Sequence, residues 1–240
     1  MEIDLFIPCF IDQLYPNTAF NTIKLLEKAG VKVNYNPAQT CCGQVSFNSG
    51  HWDETKALAI KFFNDFPNDR PIVSPGASCT AFVKNYYHRL FKKDTPEYKE
   101  YLRLKKNMYE ITDFLVNKLN FTDFGASFPH TVTYHDACSA LREYGIKKEP
   151  RILLSNVKEL NLVEMANAEV CCGFGGTFVA KFKGISSAMT QQKVEGALET
   201  GAEYITSTEG SCLMNISSYI RRQQIPIETI HIVDILASGW

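Results

Sequence analysis

The sequence lacks the features that mark nucleic-acid-binding and membrane proteins. Its 240 residues include 25 Lys and Arg against 26 Asp and Glu, so there is no basic excess for a nucleic-acid-binding face. No apolar run approaches the roughly 20 residues of a membrane-spanning helix. The N-terminus, "MEIDLFIPCF", carries acidic residues where a signal peptide would carry Lys or Arg. We therefore expect a cytoplasmic protein that binds no nucleic acid and has no membrane span, with a peripheral membrane contact left open.

Nucleotide-binding motifs are also missing. The stretch "GFGG" begins like the dinucleotide fingerprint G-x-G-x-x-G, but that fingerprint needs a glycine at position 178, where the chain has Phe178. There is no phosphate-binding motif G-x-x-x-x-G-K-S/T. The sequence therefore predicts no NAD or nucleotide site. The short C-x₂₋₄-C knuckles of structural zinc sites are absent as well, which disfavours zinc without excluding it.

Cysteine, by contrast, is abundant and regularly placed. The chain has 8 cysteines, and "TCCGQ" at residues 40 to 44 matches "VCCGF" at residues 170 to 174. One cysteine precedes and one follows each pair at similar distances, which gives two sets, Cys9, Cys41, Cys42 and Cys79, then Cys138, Cys171, Cys172 and Cys212. Flanking segments repeat in the same order, so we infer an internal duplication with modules at 1–125 and 126–240.

Short β-rich runs alternate with helical patterns in both halves of the chain. The run "IDLFIP" ends just before Cys9, and "TVTYHD" ends just before Cys138. This alternation predicts an α/β fold of two duplicated Rossmann-like modules with parallel sheets and with cysteines at the carboxyl ends of strands. Open α/β sheets bind ligands at that edge, so the four thiols of each set are expected to meet there.

Four thiols per module suit several kinds of site. An iron–sulfur cluster is favoured, because thiolates are its usual ligands and glycines such as Gly43 and Gly173 let the backbone approach and donate N–H bonds to sulfur. Zinc held by four thiolates is the metal alternative, with the chain as a zinc-stapled scaffold. A thiol–disulfide pair would use only two cysteines of each set. Eight cysteines that serve only as small buried hydrophobes would not account for the repeated spacing.

The cysteine pattern resembles a known family. Paired "CCG" elements, each with one cysteine upstream and one downstream, resemble the cysteine-rich CCG domain of heterodisulfide reductase, in the chain of that enzyme designated B, and of the iron–sulfur subunits of glycolate oxidase and anaerobic glycerol-3-phosphate dehydrogenase. The strings "PAQTCCGQVSFNSGH", "SPGASC", "TYHDACSALREYGI" and "CCGFGGTFVAKF" are closer still to the lactate utilization protein A family. This resemblance covers essentially the whole chain.

The resemblance implies an iron–sulfur subunit that works with two partner proteins, one of them itself an iron–sulfur protein, to oxidise L-lactate to pyruvate without a nicotinamide cofactor. It implies one cluster per module, most simply of the 4Fe–4S type, held by the four cysteines of that module. The wider domain pattern ends each module in C-x-x-C, whereas Gly76 and Glu209 stand at its first position here. That difference disfavours the noncubane cluster and the disulfide-cleaving chemistry of heterodisulfide reductase. Glu209 is expected at the surface or behind the ligands, with ligation through oxygen as the alternative.

Other polar residues near the cysteines are candidates for supporting roles. His135 precedes Cys138 closely, and a histidine there can hydrogen-bond to sulfur or move protons, unless it is an ordinary polar residue at a strand end. His51 is expected to be an ordinary polar residue. Asp136 is predicted to orient His135 or to cap the next helix, and Arg142 to offset cluster charge or contact a partner.

Overall fold

The computed structural model describes residues 1–240 and contains two four-stranded parallel sheets. The strand order is β2-β1-β3-β4 in the first sheet and β6-β5-β7-β8 in the second, and every neighbouring pair is parallel. The strands are β1 (Glu2–Leu5), β2 (Lys32–Tyr35), β3 (Ile72–Ser74), β4 (Met108–Glu110), β5 (Thr131–Tyr134), β6 (Asn161–Val163), β7 (Tyr204–Ser207) and β8 (Glu228–His231). The repeated order confirms the predicted α/β fold of two duplicated Rossmann-like modules.

Helices connect the strands, as parallel neighbours require. They are α1 (Cys9–Leu14), α2 (Pro16–Lys28), α3 (Gln44–Asn48), α4 (Trp52–Asp65), α5 (Ala77–Tyr86), α6 (Pro96–Asn107), α7 (Ile111–Asp113), α8 (Lys148–Leu154), α9 (Thr177–Lys181), α10 (Lys183–Leu198), α11 (Gly210–Gln223) and α12 (Ile232–Leu236). A 3₁₀ turn (Tyr87–Arg89) and two π-helical turns (Phe114–Lys118 and Ser139–Tyr144) extend this set. No helix is both long and apolar enough to cross a membrane.

Strand register defines which residues of the two modules are equivalent. Glu2 pairs with Lys32 in the first sheet, and Thr131 pairs with Asn161 in the second. Counting onward from these strands makes Cys9 equivalent to Cys138 and Phe6 equivalent to His135. The same comparison of β3 with β7 makes Gly76 equivalent to Glu209 and Cys79 equivalent to Cys212.

One of the three buried hydrophobic clusters spans both modules. Ile3 and Leu5 of β1 belong to the same buried cluster as Val132 and Tyr134 of β5. Helix α2 lies against α12, where the hydroxyl of Thr18 and the amide of Asn21 donate to the Asp234 carboxylate at 2.7 and 2.9 Å. This cluster contains residues from both halves of the chain. The division at 1–125 and 126–240 therefore describes the sequence repeat, and its use as a domain boundary stays a prediction.

Candidate metal centre

All eight cysteines line one cavity of about 290 Å³ where the two modules meet. Cys9 opens α1 directly after β1, and Cys79 lies in the first turn of α5 after β3. Cys138 and Cys212 occupy the equivalent places after β5 and β7. The adjacent pairs lie in the loops after β2 and β6. Parallel strands bring these chain segments to the same edge of each sheet, so both sets face the cavity from the carboxyl ends of their strands.

The first set forms a continuous group of thiols. Hydrogen bonds from the Cys42 and Cys9 thiols hold the pKa of Cys41 well below its usual range. Hydrogen bonding to Cys41 and Cys79, together with burial, raises the pKa of Cys42. The Gly43 N–H donates to Cys41 Sγ at 3.4 Å. A thiolate at Cys41 is therefore surrounded by donors, which is the arrangement a sulfur ligand needs to carry negative charge.

The second set repeats this arrangement residue by residue. Hydrogen bonds from Cys138 and Cys172 hold the pKa of Cys171 well below its usual range, and hydrogen bonding to Cys171 and Cys212 raises that of Cys172. The Gly173 N–H donates to Cys171 Sγ at 3.4 Å, as Gly43 does to Cys41. All eight cysteines are free thiols rather than disulfides. Each module thus brings four sulfur ligands together without help from the other.

The glycine after each cysteine pair is required by the turn that aims its N–H at sulfur. Gly43 has φ +87° and Gly173 has φ +85°, in the left-handed region that favours glycine. A Cβ added at Gly173 would lie 2.6 Å from the carbonyl oxygen of Ser186. Any side chain here would move either the helix α10 or the sulfur-binding N–H.

The donor set fits a soft metal centre. Four thiols in each set match the ligands of an iron–sulfur cluster or of a zinc ion. The first turns of α5 and α11 also line the cavity, and the dipole of a helix favours negative charge at its N-terminus. Buried thiolates need such compensation, because burial in protein disfavours charge.

His135 lies next to the second set of cysteines. Its side chain is fully buried, and neither ring nitrogen has a hydrogen-bond partner. A ring nitrogen and the sulfurs of Cys172 and Cys212 all lie within 4.8 Å of one another. Burial lowers the pKa of His135 to about 3, so the ring is neutral at neutral pH. His135 therefore lies next to the sulfur ligands, and its neutral ring has one N–H that can donate to them.

Lys193 is a residue at the site that the sequence did not reveal. This lysine of α10 is completely buried, and its ammonium group donates to the carbonyl of Ala168 at 3.0 Å and to that of Asn167. Burial lowers its pKa to about 8, while the nearby thiols of Cys172 and Cys212 act in the opposite direction. The only sequence signal is a lysine within the α10 helical pattern, which is ordinarily taken as a solvent-facing residue.

The remaining polar candidates have other partners. Asp136 is 2% exposed and binds the Arg151 guanidinium through both oxygens, at 2.9 and 2.8 Å. The prediction that Asp136 orients His135 or caps the next helix is therefore wrong. Arg142 is exposed and donates to the carbonyl of Glu169 at 3.0 Å, and its role toward a partner stays a prediction. His51 is exposed just before α4 and does not line the cavity, as expected of an ordinary polar residue.

The structure explains the two positions where the wider domain has a further cysteine. A Cβ at Gly76 would lie 2.6 Å from Pro8 Cγ, so a cysteine does not fit there. Glu209 is 6% exposed and lines the cavity, so of its two expected positions the structure contradicts the surface and agrees with a place behind the ligands. Its carboxyl group accepts from the Ser78 N–H at 2.8 Å and from the Ser211 hydroxyl at 2.8 Å. Glu209 of the second module thus satisfies the N-terminus of α5 in the first.

Replacing Glu209 with alanine should lower the free energy of unfolding by about 1 kcal/mol, since it leaves the partly buried Ser78 N–H at the N-terminus of α5 without its acceptor. Urea denaturation measures the change. The matched variant Glu209→Gln keeps an oxygen that can accept from Ser78 and should lose clearly less stability. Equal losses in the two variants would show that the negative charge, rather than the hydrogen bond, supports α5.

Comparisons with known proteins agree with the fold and the cysteine pattern. The family model described as "Cysteine-rich domain" matches residues 3–84 and again 132–217. "Lactate utilization protein A" of Bacillus pumilus (strain SAFR-032) is 40% identical over 238 residues, which is 99% of this chain and 100% of that protein. The protein of the same name from Geobacillus thermodenitrificans (strain NG80-2) is 41% identical, over 98% of each chain.

One solved structure supports the fold independently. A hypothetical protein from Helicobacter pylori aligns with a TM-score of 0.62 at 14% identity, over 100% of this chain. The chain spans 49% of the length of that protein. At this identity the likeness is one of fold alone.

Proposed function

We propose, starting from the fact that this chain belongs to the lactate utilization protein A family, that it is an iron–sulfur electron-transfer subunit of a multi-protein system that oxidises L-lactate to pyruvate. The names of the relatives connect them with lactate utilization. The observation that carries the electron-transfer part of the proposal is the convergence of two complete four-thiol sets on one cavity. Two such sets in one chain suit a relay of single electrons better than one structural metal.

The cysteines of each module would hold one cluster, of the 4Fe–4S type. A cluster of this kind supplies the capacity to take up and release single electrons. Several residues of the chain would support such a cluster. The N–H groups of Gly43 and Gly173 donate to ligand sulfurs, which stabilises negative charge there. Phe10 and Phe174, one from each module, pack edge to face with ring centroids 5.8 Å apart and cover part of the cavity with apolar surface.

The chain by itself has no group suited to take two electrons from lactate. A lactate-oxidising centre needs a two-electron acceptor that the protein binds and orients beside the substrate carbon. The sequence carries no dinucleotide fingerprint for such an acceptor. We therefore assign the substrate chemistry to partner proteins, two further lactate-utilization proteins of which one carries iron and sulfur. This chain is then an oxidoreductase subunit that is inactive without them.

The direct test is lactate-dependent reduction of an artificial dye by proteins purified without oxygen. The chain alone should give only the background rate, and adding the two partner proteins should restore activity. Cys42→Ser or Cys172→Ser should return the rate to background, because either change removes a buried ligand of one set. Leu102→Ala, at an exposed position on α6 away from the cavity, serves as the unaffected control. Rapid lactate-dependent reduction by the chain alone would overturn the proposal.

Metal analysis of the same preparation separates the alternatives. Iron with acid-labile sulfide supports cluster binding, whereas zinc without sulfide supports a scaffold subunit. A chain that holds clusters and also cleaves a disulfide substrate would instead resemble the reductase branch of the domain family.

A further inference from the structure

The two modules differ at one pair of equivalent buried positions beside the cysteines. Strand register makes His135 the counterpart of Phe6. The helices after the cysteine pairs give the second equivalence, because Gly43 lies against Thr55 and Leu58 of α4, and Gly173 lies against Ser186 and Met189 of α10 at the same spacing. Continuing along these helices makes Lys193 the counterpart of Phe62.

In the first module this pair is purely apolar. Phe6 and Phe62 are almost completely buried and pack edge to face, with ring centroids 4.9 Å apart and planes at 79°. Phe66 packs against both rings. The first set of cysteines therefore has hydrocarbon behind it, and Cys42 belongs to the same buried apolar cluster.

In the second module the same space contains a histidine and a lysine. Lys193 is completely buried, and its ammonium group donates only to backbone carbonyls. The carboxylate of Asp136, which also acts on this ammonium, is engaged through both oxygens by Arg151. The buried ammonium group of Lys193 therefore has no carboxylate of its own, and the carbonyls that hold it belong to the loop that leads directly into Cys171 and Cys172.

His135 adds to this effect. Its ring nitrogens have no other partner, and one of them lies within 4.8 Å of the sulfurs of Cys172 and Cys212. A neutral imidazole carries one N–H in either tautomer, so the ring can donate to sulfur. Hydrogen bonds to sulfur and buried positive charge both stabilise the more negative, reduced form of a metal–thiolate centre.

We propose that the second cysteine set, through Lys193 and His135, holds an added electron more tightly than the first set does. This inference rests on the proposed function, because it concerns the centres that the two sets would hold. The physical basis is the different surroundings of two centres that have the same ligands. A cation lies behind one centre and aromatic rings lie behind the other. Because a charge acts strongly in a buried, low-dielectric setting, the two centres should differ in reduction potential. An electron delivered by a one-electron reductant then resides at the second set. Lys193 and His135 are positioning residues here, because they act through the sulfur ligands.

The experiment measures reduction potentials rather than turnover. Cys171→Ser leaves only the first set complete and Cys41→Ser leaves only the second, so each set can be titrated alone by spectroscopy against a dithionite-poised series. The Cys41→Ser protein is expected to be reduced at the higher potential. In the full chain, Lys193→Met should reduce the ratio of reduced to oxidised second centre at a fixed solution potential by roughly tenfold, which is 59 mV for a one-electron couple. His135→Phe, which installs the residue of the first module, should shift the same centre in the same direction.

Lys84→Met is the matched control. Lys84 is a partly buried lysine whose ammonium donates to a carbonyl, that of Met108 at 2.9 Å, and the charges that act on its pKa are those of Asp113 and Lys105 rather than the cysteines. Its replacement should leave both potentials unchanged.

The outcomes separate the inference from the function it rests on. Bound iron with equal potentials in the two single-set proteins overturns the inference and leaves the proposed function standing. An unshifted second potential in a Lys193→Met protein that retains its iron also overturns it. If Lys193→Met loses the iron of the second set, the comparison of Cys41→Ser with Cys171→Ser decides, because both keep Lys193. A wild-type chain that binds no iron after anaerobic reconstitution overturns the proposed function itself.

Discussion

Cys171→Ser protein purified without oxygen is expected to contain about half of the wild-type iron and acid-labile sulfide, because each module carries a complete set of four thiols. Cys171 is the central sulfur of its set, with Cys138 and Cys172 as hydrogen-bonding neighbours and the Gly173 N–H as donor. A serine oxygen is a harder and poorer ligand for a soft metal centre. Iron and sulfide per chain, with the visible absorption spectrum, measure the loss.

Cys41→Ser is the reciprocal control, since Cys41 occupies the same place in the first set. Each variant should lose one half of the iron, and the double variant should lose all of it. Loss of all iron from either single variant would contradict two independent sites. It would favour one centre bridging the modules, which is a realistic outcome because both sets line the same cavity.

The convergence of each cysteine set could be predicted because the sequence places the single cysteines directly after β-rich runs. Cys9 follows β1 and Cys138 follows β5, and parallel strands carry their carboxyl ends to a common edge. The duplication strengthened this prediction, because the same spacing had to be satisfied twice. The strand order itself was not predicted, and it is the same in both sheets.

The meeting of both sets at one cavity could not be predicted. A sequence repeat describes each module but carries no pattern for the way two modules pack together. The contact between Glu209 and the Ser78 N–H joins residues far apart in the chain. The sequence around either residue gives no indication of this contact. An isolated glutamate is ordinarily a surface residue, so the sequence could not decide between the surface and a buried position behind the ligands.

The burial of Lys193 could not be predicted from the sequence, because the buried face of a helix is ordinarily identified by its apolar residues. The apolar residues of α10 include Ile185, yet Ile185 is 58% exposed. The buried face carries the polar Ser186, Thr190 and Lys193 together with the apolar Val194 and Ala197. Thr190 donates to the carbonyl of Cys172 at 2.8 Å, so this face is shaped by hydrogen bonding to the cysteine loop. Hydrophobic periodicity identifies the apolar residues that a helix buries, such as Val194 and Ala197, but it does not identify polar residues buried against a polar site.

Arg151→Met is expected to lower the free energy of unfolding by about 3 kcal/mol, because it leaves the buried carboxylate of Asp136 without its counter-charge. The Asp136 side chain is 2% exposed and the Arg151 side chain 21% exposed, and both carboxylate oxygens accept from the guanidinium. Asp136 directly follows His135, so the same change should also loosen the loop that precedes Cys138. Urea denaturation at pH 7 measures the stability, with an unchanged dependence on urea as the check that unfolding remains two-state.

Lys147→Met is the matched control for this prediction, since Lys147 forms an ion pair with Glu169 in which both side chains are about half exposed. An exposed pair of this kind contributes about 1 kcal/mol or less, so the control should lose little stability. Adding Asp136→Asn to Arg151→Met should recover part of the loss, because the unpaired charge is then removed along with its partner. A loss in Arg151→Met no larger than that in Lys147→Met would show that Asp136 is hydrated in the absence of Arg151. In that case the pair would not hold the loop that positions His135 and Cys138.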